Sequence, residues 1–130
     1  MLKLEVITPK GNVLSVDAEQ VTAPGSEGEF QVLPSHLPML VLLSGGRLSY
    51  RGAGSDGAIY LRGGVAEVSS EGHVLVLTEE VQIPSELDVK RAAQIKGEAK
   101  SKLADAEYLT ESRMGRLRQD LMYAEAILNA

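Results

Sequence analysis

Cysteine is absent. That removes disulfides, thiolate catalysis and Cys-ligated zinc, and it fits a reducing compartment. Only two histidines, His36 and His73, are present, whereas a zinc or iron site needs three or four ligands close in space; no metal is expected. Aromatics are scarce: Phe30, Tyr50, Tyr60, Tyr108 and Tyr123. Five rings offer no base-stacking platform, and a net charge of −5 repels a phosphate backbone, so nucleic acid is not an expected partner. Long hydrophobic runs are missing too. The longest, Leu37 to Leu43, contains Pro38 and falls far short of the roughly 20 residues a membrane helix needs. The opening Leu2-Lys3-Leu4-Glu5-Val6 alternates like a strand and does not resemble a signal peptide. A soluble, cytoplasmic protein is expected, meeting a membrane only through a partner.

Proline is the most telling absence. None follows Pro84, and there the period of the chain changes. Before it, short apolar segments alternate between glycine-rich turns. Lys3–Thr8, Val13–Val16, Glu19–Ala23, Glu29–Leu33, Met39–Leu43, Arg47–Arg51, Ala58–Arg62, Val65–Val68 and His73–Leu77 make about nine or ten strands, the pattern of a β-sandwich or flattened barrel. After it, residues 85–130 are rich in Ala, Leu, Lys and Glu. Two domains are therefore expected, 1–84 all-β and 85–130 an α-helical hairpin. Ser85-Glu86-Leu87-Asp88 fits a capping box. It predicts a first helix over about 86–104 with Val89, Ala92, Ala93, Ala99 and Leu103 as its stripe and Ile95 to one side. A second helix is expected over about 106–128, with Met114, Leu117, Leu121, Ala124 and Leu128 as a narrow seam and a turn near Asp105.

The tail is too thin for a core of its own. Its first helix buries mostly alanine, Gly97 and Gly115 each cost roughly 1 kcal/mol against Ala, and isolated helices of this length are marginal in water. A weakly held arm that can detach or extend is the favoured expectation; a permanently docked tail is the alternative. Charge divides along the same boundary. Residues 1–85 hold ten acids and five bases, residues 86–130 eight of each. Lys90, Arg91, Lys96, Lys100 and Lys102 precede Arg113, Arg116 and Arg118. They read either as a solvated face with i,i+4 partners such as Glu86–Lys90 and Glu98–Lys102 or as a surface for an acidic partner.

Catalytic chemistry finds no support. Gly52-Ala53-Gly54-Ser55-Asp56-Gly57 matches G-x-G-x-x-G, but Ala58-Ile59-Tyr60-Leu61 follows as a strand where a dinucleotide site needs a helix N-terminus. A hairpin loop is expected. His73 is expected at an exposed strand end. His36, in Pro34-Ser35-His36-Leu37-Pro38, is either loop packing or a contact on a rigid loop. No serine stands in a nucleophile elbow.

Three ordered blocks resemble a known family. Val21-Thr22-Ala23-Pro24-Gly25-Ser26-Glu27-Gly28-Glu29-Phe30-Gln31-Val32-Leu33-Pro34-Ser35-His36-Leu37-Pro38-Met39-Leu40 is similar to the signature of the epsilon subunits of F-type ATP synthases. Gly63-Gly64-Val65-Ala66-Glu67-Val68 with Val74–Thr78, and then Leu87-Asp88-Val89-Lys90-Arg91-Ala92, resemble that family's next blocks. The resemblance implies a β-sandwich of about ten strands with a C-terminal helical hairpin. It implies a non-catalytic central-stalk subunit of a proton-translocating synthase on the cytoplasmic face of a bacterial plasma membrane. Its implied partners are the gamma subunit, the ring of c subunits and, when the hairpin extends to inhibit ATP hydrolysis, the catalytic beta and alpha subunits. Glu29 and His36 match the c-ring contact positions, with Ser35 and Gln31 where glycine is usual. Asp88 and Arg91 match an ATP-binding motif, but Gln82 and Glu98 depart from it. Weak or absent ATP binding is thus expected, and a nucleotide-sensing module is the second reading. Arg113, Arg116 and Arg118 are the expected inhibitory contacts. A small hydrolase or ligand-binding β domain is the third reading.

Overall fold

The computed structural model describes residues 1–130 apart from Ala53, Ser55, Ala106 and Tyr108. Among the described residues eight strands come first: β1 Leu2–Thr8, β2 Gly11–Ala18, β3 Gln20–Gly25, β4 Gly28–Val32, β5 Met39–Arg51, β6 Gly57–Val68, β7 His73–Leu77 and β8 Val81–Gln82. A 3₁₀ turn at Pro84–Glu86 leads to α1, Val89–Ala104, and α2, Glu111–Leu128. The strands form a sheet in the order β2-β1-β7-β6-β5-β3-β4, with β8 also on β6. All pairings are antiparallel except β1 with β7.

The β-sandwich expectation holds with a correction to the strand count. Met39–Leu43 and Arg47–Arg51 are one strand, β5, and Ala58–Arg62 and Val65–Val68 are one strand, β6. Gly45-Gly46 and Gly63-Gly64 bend these strands without turning them. Besides β5, β6 can then serve two further neighbours: Val65–Val68 pairs with β7, while Tyr60 and Leu61 pair with β8. Inward residues including Leu4, Val6, Leu43, Leu48, Leu61 and Val76 are wholly buried and form one continuous core. A wholly buried Val or Leu contributes about 1.5–3 kcal/mol, and every buried side chain of this core comes from residues 2–76. Tyr50 pairs with Gly57 across the G-x-G-x-x-G segment and a strand follows it. The hairpin tip itself includes Ala53 and Ser55, outside the described residues.

The helices also start later than expected. Leu87 is extended, at ψ 130°, so the Ser85 capping box does not form. Asp88 caps α1 instead, its Oδ1 accepting the Arg91 N–H at 3.0 Å. Thr110 caps α2, its Oγ1 accepting the Arg113 N–H at 3.2 Å; the earlier start near 106 touches residues outside those described. On α1 the buried side chains are Ala92, Ile95 and Ala99. Ile95 is central to the stripe, while Val89 and Ala93 face solvent. On α2 the buried set is Leu117, Asp120, Tyr123, Ala124 and Ile127. The narrow seam thus captured one face of a helix that has two. Among the described residues, neither helix is long and apolar enough to cross a membrane.

Candidate functional site

The hairpin is docked on the body through a small second core completed by a body residue. Ala92 and Ile95 of α1 and Tyr123, Ala124 and Ile127 of α2 surround Tyr60 of β6. The tail, too thin to bury its own face, borrows a ring from the sandwich. Close approach makes this possible. A Cβ placed on Gly45 would clash with the Gln119 carbonyl and stand 2.7 Å from the Tyr123 nitrogen. One on Gly63 would clash with the Gln119 side-chain amide, 2.9 Å from its Cδ. Gly45 lets the backbone of α2 approach closely, and Gly63 makes room for the Gln119 side chain.

A polar cluster locks the same junction. Thr78-Glu79-Glu80 follows β7, and the Glu80 carboxylate lies between three elements. The Arg91 guanidinium of α1 donates to both its oxygens, with Nε to Oε2 at 2.9 Å and Nη2 to Oε1. The Tyr123 hydroxyl of α2 donates to Oε2 at 2.9 Å. Arg62 of β6 lies 3.5 Å from Oε1 and donates through Nε to Asp120 of α2 at 2.7 Å. Arg91, chiefly through its hydrogen bonds, holds the Glu80 carboxyl below its ordinary value. Burial, followed by the Glu80 bond, pushes the Tyr123 hydroxyl well up. The bond to Asp120 raises Arg62. Nearby, Gln82 Oε1 accepts the Asp88 N–H at 2.8 Å, Gln119 donates to the Leu43 carbonyl at 3.2 Å, and Arg116 donates to Glu79 at 2.7 Å.

These placements sort the expected site residues. Asp88 and Arg91 are adjacent, but Asp88 is a helix cap and Arg91 is engaged by Glu80. Their cleft of about 730 Å³ is lined by Glu79, Glu80, Glu86 and Asp88 with Lys10 and Arg91 as its cations, a poor setting for a triphosphate. Arg113, Arg116 and Arg118 are all exposed; among the described residues, Arg116 of the three bonds to the body. Glu29 is exposed on β4, and His36 is half-buried in the 33–38 loop. His36 Nδ1 lies 2.7 Å from the Leu37 carbonyl, and its backbone N–H donates to Leu33. Ser35 carries a positive φ of 69°, a left-handed conformation uncommon outside glycine. Around it Leu33, Leu37, Leu40 and Leu42 stand exposed, Leu37 by 79%. His73 begins β7 and is exposed. None of the expected i,i+4 ion pairs of the tail is present among the described residues; the tail's bonded cations reach across to the body.

Glu80, Arg62, Asp120 and Tyr123 were missed from sequence. The second 3-4 spacing Asp120, Tyr123/Ala124, Ile127 on α2 was a signal; the acid doublet Glu79-Glu80, one residue past β7, reads equally well as a solvated turn.

Known proteins complete the picture. Residues 1–84 match the family described as ATP synthase, Delta/Epsilon chain, beta-sandwich domain. An ATP synthase epsilon chain of Nitratidesulfovibrio vulgaris is 44% identical over 103 residues, 79% of this chain and 76% of that one. An ATP synthase epsilon chain 2 of Syntrophotalea carbinolica is 40% identical over 112 residues, 82% of this chain and 80% of its own. Among solved structures, a chain of the Euglena gracilis mitochondrial ATP synthase OSCP/F1/c-ring assembly superposes with a TM-score of 0.72 at 23% identity, covering 98% of this chain and 79% of that one. A chain of the Tetrahymena thermophila mitochondrial ATP synthase central stalk/c-ring gives 0.56 at 18% identity, covering 66% and 69%. These two show the shared fold. The three-block signature, the eight-stranded body with its docked hairpin and the matched relatives agree: the chain belongs to the epsilon chains of the ATP synthase delta/epsilon family.

Proposed function

We propose that this chain is a non-catalytic rotor subunit of a proton-translocating synthase, built as an anchor (1–84) and a brake (85–130). The observation that carries this is the separation of two cores: the body is complete without the hairpin, while the hairpin needs the body. Such an element has two states that a partner can bias. Leu33, Leu37, Leu40 and Leu42, all exposed, offer the body an apolar docking surface beside Glu29 and His36. The body is the part that meets the gamma subunit and the c-subunit ring, with Glu29 and His36 at the ring contact. In the released state Arg113, Arg116 and Arg118 face the catalytic beta and alpha subunits. The protein sits on the cytoplasmic face of a bacterial plasma membrane through this complex. Relatives named as epsilon chains and fold neighbours from a c-ring assembly and a central stalk support the assignment.

ATP is not needed to hold the hairpin down in this reading, because Glu80 already supplies Arg91 with an anion. The nucleotide-sensing alternative is correspondingly disfavoured. Deleting residues 86–130 tests the brake: the truncated chain is expected to join the complex while ATP hydrolysis rises. Unchanged hydrolysis contradicts it.

A further inference from the structure

A second polar feature lies on the outer face of the sheet, apart from the hairpin latch and the leucine surface. β3 and β5 pair Gln20 with Arg51 and Thr22 with Ser49. Strand alternation puts Arg47, Ser49 and Arg51 on one face. Together these five residues line an open cleft of about 550 Å³ with Pro84 among its other walls. Residues 1–85 are acidic, with ten acids against five bases, yet two of the five bases meet here. Arg51 Nη2 donates to Gln20 Oε1 at 2.7 Å, a neutral acceptor that aims the guanidinium without cancelling its charge. Among the described residues, the ion pairs include neither Arg47 nor Arg51, whereas Arg62 of the same body is paired to two acids. The one carboxylate of the lining, Asp56, accepts the Gly52 N–H at 3.1 Å.

We propose that this cleft binds an acidic, extended peptide segment of a partner protein, one carboxylate on each guanidinium. The polar lining is wrong for an apolar small molecule, whose pockets are mostly hydrophobic. The two arginines are four residues apart on one strand, about 13 Å by strand rise. That separation matches carboxylates at i and i+4 of an extended segment, and it exceeds what a single phosphate spans. Guanidinium forks recognise carboxylates bidentately, and the Thr22 and Ser49 hydroxyls between them can bond the segment's backbone. This proposal stands apart from the motor assignment.

The test uses the full-length chain, isotope-labelled for amide NMR at low salt, titrated with the end-capped peptide Glu-Gly-Ser-Gly-Glu. Separate arms use Gln-Gly-Ser-Gly-Gln and inorganic phosphate. Saturable shifts confined to Gln20, Thr22, Arg47, Ser49, Arg51 and their neighbours are expected with the Glu peptide alone. Arg47→Gln and Arg51→Gln should each weaken it about threefold to fivefold, and Arg113→Gln should not. Salt near 1 M, where screening acts within about 3 Å, should remove the shifts. A Glu peptide that leaves the cleft unshifted overturns the proposal. Equal binding by the Gln peptide, or by phosphate at the same amides, does so as well.

Discussion

A single carboxylate, Glu80, joins strand, first helix and second helix at one point. Its bonds are charge-assisted, which makes each worth more than a neutral one, though the Arg91 side chain is 47% exposed and solvent screens that arm. Glu80→Gln should therefore weaken docking by about 1–2 kcal/mol. Amide exchange in α2 checks this: protection of Leu117–Ile127 should fall while that of β5 and β6 holds. Gly45→Ala acts by shape alone. Its Cβ meets the backbone of α2, and overpacking costs about 1–3 kcal/mol. The same exchange measurement should show α2 loosened with the charge cluster intact. Neither residue was legible in the sequence as a docking residue. Glycine pairs signal turns equally well, and an acid after a strand signals solvent equally well; which holds depends on what packs above them.

At the level of elements, the change of period at Pro84 was readable because it rests on spacing alone, and the body and hairpin follow it. The bends in β5 and β6 were not readable, since a Gly-Gly pair separates two apolar runs whether the chain reverses or only kinks. The true first-helix start was hidden in the same way: Ser85 and Asp88 are both good caps, and the extended Leu87 selects Asp88. The contact residues Glu29 and His36 came from resemblance to a family, while the physics alone left His36 as either packing or contact. Ala92, Ile95 and Ala99 are the buried residues of α1, and the hairpin meets the body through the shared Tyr60 core and the ion pairs. Removing 86–130 should leave residues 1–84 folded, because the main core is wholly their own. A cooperative thermal transition in the truncated chain checks this. Tyr60 becomes exposed in that variant, so lowered solubility is expected as well.

For the whole molecule, docking should depend on pH with a definite sign. The Glu80 carboxyl is held below its ordinary value of 4.5. Its contribution is complete above that value and is lost as pH falls through the lower, docked value. The Tyr123 hydroxyl is raised above its ordinary value of 10.0, so its contribution is present below pH 10 and disappears as pH climbs through the docked value. Docking should thus be flat between about pH 5 and pH 9 and weaken on both sides, with Tyr123→Phe abolishing the alkaline limb in a fluorescence titration of a labelled hairpin. The central claim, a self-sufficient body carrying a latched, releasable hairpin, is tested most directly by the distance between spin labels at Lys10 and Asn129. One short distance is expected for the native chain at pH 7. A second, longer population should emerge with Glu80→Gln combined with Gly45→Ala. A distance that stays single and short after both changes would contradict the account.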